Sequence, residues 1–367
     1  MKKGYYVHFD VKGIPGVAKK IDMQIAELSK FYDMTEINIR SSEVSLATRL
    51  LRLLPGGAIA RMYQEALEEI HDPAFVYVRR ATADKYYVSF FKELKTRWPE
   101  CKVIVEIFTY PYDKDDFGKW NAWPFCFKER YNRKRLPQYI DRYVTYSQDE
   151  MIFGIPTIRT SNGIFVDGVK LPKAREQVDD TINLIAVAFM QKHHGYERLI
   201  KGMHKYYQGA PTKEVILHLV GDGPEKQKYQ NITRQYGLED KVIFYPTVIG
   251  DSLDEVYELG DIAISSLGWY KDGLKRENTL KAKEYMAKGF PMVTGCPVDH
   301  IPNDYPYICE FSNNATPIDV LRIVQFYENL LQQHSRQEMQ EEIRGFVKQI
   351  ADMPIVMKPI VDYIEKG

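Results

Sequence analysis

The stretch Asp261–Thr294, DIAISSLGWYKDGLKRENTLKAKEYMAKGFPMVT, decides the fold. It reads as a buried strand over Asp261–Ser266, a polar loop rich in Gly and Lys, and a helix over Asn278–Lys288. A second strand starts at Pro291. Asn278 and Thr279 are helix-start residues, Gly289 is a stop, and Pro291 blocks continuation. The charge is unusual. Lys275, Arg276, Lys281 and Lys283 crowd the start of the helix, where the backbone already carries partial positive charge. A helix selected for stability alone would place Asp or Glu there, so the cations point to a bound anion, most simply a phosphate.

The same strand–helix alternation runs through the chain and predicts two parallel-sheet α/β domains. In the first half, strands are expected at Tyr5–Phe9, Ile37–Ile39, Phe75–Val78, Val103–Ile107 and Tyr143–Tyr146. A helix between the first two puts Val17, Ile21, Ile25 and Leu28 on one face. In the second half, strands are expected at Leu184–Ala188, Val215–Val220, Val242–Tyr245, Ile262–Ser265 and Met292–Thr294. Tyr196, Leu199, Ile200, Met203 and Tyr207 follow a helical period, and another helix runs from near Pro224 to Gly237. Gly163–Asp180 is polar and weakly patterned, as a linker would be. Two more helices follow Pro317, with Thr316 as the expected cap. The expected domains are 1–165, 166–345 and a C-terminal helix or tail, 346–367, packing back toward the first.

Composition excludes several classes. At 367 residues the chain is too long for one ordinary core. Its 50 Lys plus Arg balance 50 Asp plus Glu, so net charge gives no argument for nucleic acid. No apolar run approaches the roughly 18–20 residues that span a bilayer. The short apolar start reads as a first strand rather than a signal peptide. Cys101, Cys126, Cys296 and Cys309 lack zinc-site or disulfide-framework spacing. A cytoplasmic enzyme, or one peripheral at the inner face of the cell membrane, fits these bounds, with no metal and no cofactor expected.

Several motifs in order resemble the retaining nucleotide-sugar glycosyltransferases of family four (group 1), especially bacterial members that build capsules, exopolysaccharides and lipopolysaccharides. Leu219-Val220-Gly221-Asp222-Gly223-Pro224 is similar to the family's strand–turn–helix segment. Lys241–Tyr245 is similar to the strand before its base-contacting loop, which here contains Thr247. Leu280–Val293 is close to its most repeated block, Ser161–Ile164 to its hinge, and Gly13–Val17 to its first glycine loop. The resemblance covers nearly the whole chain. It implies the GT-B fold: two Rossmann-like, doubly wound parallel-sheet domains facing across a cleft. It also implies a metal-independent hexosyltransferase that moves a sugar, with retention, from a nucleoside-diphosphate sugar, UDP favoured over GDP. The acceptor would be a glycan or a polyprenyl-linked sugar. A non-catalytic GT-B partner, an epimerase or a phosphorylase of the same fold are the other classes, although no motif supports the pyridoxal-phosphate lysine of a phosphorylase.

The resemblance also distributes roles. Glu284 falls where relatives hydrogen-bond the nucleotide ribose; from spacing alone, an i, i+3 ion pair with Lys281 is equally open. Lys281 would face the diphosphate, whereas Lys283 and Lys288 read as solvated. Lys271 would meet phosphate, Gly273 and Leu274 would offer backbone N–H groups to the sugar, and Gly16 and Thr247 would line the donor site. His194 stands where relatives carry a lysine, and would serve the diphosphate if protonated or presenting its N–H; a surface histidine is the equal alternative. Relatives commonly carry an earlier glutamate at the place held here by Arg276, which leaves Glu277 beside it as the catalytic candidate. Glu106, at the end of the fourth strand where relatives often have histidine, is a second catalytic carboxylate, or else a polar residue satisfied by a loop. On the acceptor side, Lys19 and Lys20 repeat the cationic helix start. Trp120, Trp123 and Arg133 belong to an aromatic–basic segment suited to an anionic membrane surface, at ~1 kcal/mol per well-placed cation, or to an amphipathic core element.

Overall fold

The structure, a computed structural model, describes residues 1–11, 15–39, 58–108, 110, 123–173 and 180–366, with backbone alone at 15, 58–60 and 123–125. The chain divides into two compact units, Met1–Ser161 with Met353–Gly367, and Asn162–Asp352.

The first unit contains β1 (Lys3–Phe9), α1 (Pro15–Leu28), β2 (Asp33–Ile39), α2 (Ala58–Glu68), β3 (Phe75–Arg79), α3 (Lys85–Arg97), β4 (Lys102–Ile107), α4 (Trp123–Arg133), β5 (Arg142–Thr145), β6 (Met151–Ile152) and β7 (Ile155–Arg159). Its sheet order is β2-β1-β3-β4-β5-β7-β6, parallel except for the β6–β7 edge hairpin. Every residue of β3 is buried, as expected for a central parallel strand covered on both faces. The last helix of the chain, Met353–Glu365, packs on α1 in this unit. Lys102 Nζ donates to the carbonyls of Tyr363 (3.0 Å), Ile364 (2.9 Å) and Lys366 (2.8 Å), a cation capping the negative end of that helix.

The second unit contains β8 (Thr181–Val187), α5 (Tyr196–Gln208), β9 (Glu214–Val220), α6 (Lys226–Gln235), β10 (Val242–Tyr245), α7 (Asp251–Tyr257), β11 (Ile262–Ile264), α8 (Leu280–Ala287), β12 (Met292–Thr294), β13 (Ile308–Glu310), α9 (Val320–Gln333) and α10 (Arg336–Ala351). Counting the chain's last helix as α11, the second sheet runs β10-β9-β8-β11-β12-β13, all parallel.

The expected α/β class with two parallel-stranded sheets is the one observed. The boundaries differ. The expected division at 165/166 lies at 161/162, and the tail that joins the first unit begins at Met353 rather than 346. Hydrogen bonds supply the reason: Ile164 N donates to Ala351 O (3.0 Å) and Val166 N to Asp352 Oδ1 (3.0 Å). These bonds stitch the expected linker onto the end of α10, and Ile164 and Val166 are core residues. The cap of α9 is Asp319, which accepts from Arg322 N, not Thr316. The short strands β6, β7 and β13 have too little alternation to be legible.

Candidate functional site

In a parallel sheet, ligands bind outside the carboxyl ends of the strands, and in the second unit the loops there are locked together by glycines. Gly195 has φ +61°, and a Cβ on it would lie 2.7 Å from Gly268 N. A Cβ on Gly295 would lie 2.8 Å from Leu267 Cα. Leu267 N and Gly268 N donate to His194 O (2.8 Å) and His193 O (2.9 Å), so the loops after β8 and β11 touch backbone to backbone. Gly221 and Gly223, with φ +122° and +137°, do the same beside β8; their Cβ atoms would strike Ala188 O at 2.2 Å and Met190 N at 2.5 Å.

Helix α8 starts on this platform, with Thr279 Oγ1 accepting from Ala282 N (3.2 Å). The four cations at its start have separate fates. Arg276 Nε donates to Asp299 Oδ1 at 2.7 Å, so a protein carboxylate already holds it. Lys283 is fully buried and donates to Asp299 O (3.0 Å). Lys288, near the helix end, is also buried, on Asp254 (2.8 Å) and Lys170 O (3.1 Å). The expectation that Lys283 and Lys288 are solvated is therefore corrected: each has found oxygens that offset its desolvation. Lys275 is exposed.

Lys281 differs from all of these. Its ammonium lies 3.2 Å from Tyr196 Oη and 3.3 Å from Ser266 Oγ, and among the described residues no carboxylate comes within ion-pair distance. Burial pulls it down to about 8, against the opposing charge of Glu277. Glu284 is half-buried on the same helix one turn on. His194 is buried, and its Nδ1 accepts from Gln191 N (2.8 Å). That bond puts the ring proton on Nε2. Burial first, then the Lys281 and His193 charges, hold His194 far below the usual imidazole range. Of the two conditions set for this histidine, presenting an N–H is the one the geometry meets.

Other residues expected at the donor have partners within the protein. Lys271 bonds to Lys192 O (2.9 Å) and to Glu197 Oε1. The N–H groups of Gly273 and Leu274 donate to Tyr270 O (3.2 Å) and Trp269 O (3.1 Å), closing their own turn. Glu277 is 1% exposed; its oxygens accept from Ser265 Oγ (2.7 Å) and Trp269 Nε1 (2.8 Å), so it is not the open catalytic carboxylate expected. Thr247 is exposed in the coil after β10.

In the first unit, Glu106 does end β4, but at 0% exposure. Lys20 Nζ lies 2.6 Å from its Oε1, Tyr146 Oη donates to the same oxygen, and Arg79 Nη1 lies 3.6 Å from Oε2. Burial would raise this carboxyl; Lys20 and Arg79 outweigh it and hold it below the usual range. The carboxylate expected at the strand end thus sits in a buried ionic cluster. Lys20 is thereby taken from the ligand side, while Lys19 and Gly16 are exposed. Arg133 is corrected too: only 11% exposed, it lies 3.3 Å from Glu129 Oε2 with its guanidinium 3.9 Å from the Phe153 ring centroid. Trp120 and the Trp123 side chain lie outside the described residues. Sequence reading missed Ser266, Arg79 and Tyr146, and it counted Tyr196 only as part of an apolar helix face.

Comparison with known proteins bears on this arrangement. Residues 170–300, less than half of the chain, match the family model of glycosyl transferases group 1. No curated protein sequence matches the chain. Among solved structures, a glycosyltransferase from Rickettsia africae superposes with TM-score 0.66 at 13% identity, covering 100% of this chain and 99% of that one. The HepE protein of Anabaena in complex with UDP gives 0.65 at 13% identity, covering 100% of each. A lipopolysaccharide outer core galactosyltransferase, WaaB, gives 0.60 at 16%, covering 99% of each. At these identities the likeness is one of fold, and the fold is that of the two-sheet GT-B glycosyltransferases.

Proposed function

We propose that the chain is a retaining, metal-independent glycosyltransferase that takes a sugar from a nucleoside-diphosphate sugar, UDP favoured. Its acceptor is a glycan or lipid-linked sugar in bacterial surface polysaccharide synthesis. One observation carries the reading: the Lys281 ammonium, at the positive end of α8, rests on two hydroxyls and, among the described residues, on no carboxylate. An anionic diphosphate is the ligand that such a cation and helix end would complete. The family match over residues 170–300 spans this site, and the HepE structure holds UDP on the same fold.

In this reading Lys281 and the Nε2–H of His194 take charge from the departing diphosphate, and Glu284 accepts from the ribose hydroxyls. The acceptor is assigned to the first unit. Contact with an anionic membrane is proposed through α4, where Phe127 (60%) and Tyr131 (71%) are exposed beside exposed Lys128, Arg130, Lys134 and Arg135. The acid of that helix, Glu129, is buried.

Calorimetric titration with UDP and GDP tests the donor site. UDP should bind more tightly than GDP, and Glu284→Ala should weaken UDP by about tenfold or more, the loss of a charge-assisted hydrogen bond. Nucleoside-diphosphate release that depends on an added acceptor separates a transferase from a binding-only partner. Undiminished UDP affinity in Glu284→Ala would remove the ribose assignment.

A further inference from the structure

The donor-site reading leaves one buried carboxylate without a task. Glu277 lies between the Trp269–Asp272 turn and α8, and its main chain is fixed: its N–H donates to Pro297 O (2.9 Å), and its carbonyl accepts from Asp299 N (2.8 Å). One carboxylate oxygen holds Ser265, next to the Ser266 hydroxyl that touches Lys281. The other holds the Trp269 indole, which stacks on His193 with centroids 4.3 Å apart and planes 2° apart. His193 Nδ1 lies 3.1 Å from Asp272 Oδ2. With both oxygens occupied and no surface, Glu277 cannot reach a sugar. It can only act through its neighbours.

We infer that Glu277 is a positioning residue that fixes Trp269 against His193 and supplies the counter-charge that keeps Lys281 ready for an anionic ligand. This rests on the donor-site reading and deepens it. Burial raises the Glu277 carboxyl, opposed by Lys281, Trp269, Ser265 and Lys283. Burial lowers Lys281, opposed by Glu277. The Lys281 charge in turn lowers His193 and His194, from the loop after β8, while Asp299 acts on Lys283.

The sign follows from these directions. Lys281 is charged below about 8, so affinity for an anion is present at lower pH and fades as pH rises through that value. Removing the Glu277 charge moves this alkaline loss downward by about one pH unit, the low end of what a nearby opposite charge does. At pH 8 that shift corresponds to about fivefold weaker binding.

The test is calorimetric titration of UDP into the intact protein from pH 6 to 9.5, for wild type, Glu277→Gln, Glu277→Asp and Lys281→Met. Lys281→Met should weaken UDP and flatten the alkaline limb, and Glu277→Gln should move that limb down. If Lys281→Met binds UDP like wild type, the donor-site reading itself falls. If it loses affinity while Glu277→Gln keeps the wild-type limb, the Glu277 inference falls and the donor site stands. Should Glu277→Gln fail to fold, Glu277→Asp decides. It keeps the negative charge that holds Lys281 protonated, so its alkaline limb should stay with wild type. An alkaline limb that moves down although the charge is kept overturns the inference.

Discussion

Glu106→Ala separates a structural carboxylate from a catalytic one. The substitution leaves Lys20, 7% exposed in its side chain, as a buried ammonium without its 2.6 Å partner. It also strips Tyr146 of its acceptor and Arg79 of the carboxylate 3.6 Å away. Breaking a buried pair by removing one member costs about 3–5 kcal/mol. For a unit of this size each kcal/mol moves Tm by about 2–4 °C, so a fall of roughly 6–20 °C is expected by differential scanning calorimetry. Lys20→Met combined with Glu106→Gln should recover more than half of it, because the Lys20 ammonium is then no longer stranded. The pH dependence has a definite sign. A carboxyl whose folded-state value is lowered contributes stability above its ordinary value of 4.5 and loses it as pH falls further. Wild type should therefore lose stability below about pH 4.5 more steeply than the double variant. A Glu106→Ala protein with unchanged Tm and abolished sugar transfer would refute this reasoning and return Glu106 to the chemistry.

Two further outcomes are expected. Gly202→Ala should lower Tm, since a Cβ there would sit 2.0 Å from Ile318 O; the expected cost is about 1–3 kcal/mol or more, measured by denaturant melts. Phe127→Ser with Tyr131→Ser should reduce co-sedimentation with vesicles containing anionic lipid while leaving UDP affinity unchanged, and undiminished sedimentation would remove α4 from the membrane contact.

Much of the fold was legible because its signals are local. Ten expected strands correspond to β1–β5 and β8–β12, each announced by a short apolar run between turn residues. The Thr279 start and Gly289 stop frame α8 as read, although Gly289 has a second reason beyond its φ of +75°. A Cβ there would lie 2.6 Å from Gln340 Cα, a contact that only the folded chain reveals.

The sequence alone determined the strand–helix alternation, the two-sheet class and the presence of a cation-rich helix start, since periodicity and capping depend on residues a few positions apart. Which cation stays available was decided only by tertiary structure. Asp299 reaches back to Arg276, Glu197 takes Lys271, and Lys20 on α1 meets Glu106 on β4. Lys281 alone of these four is left on hydroxyls, because charge pairing follows distance in space, and no local pattern encodes which acid will arrive from a distant segment.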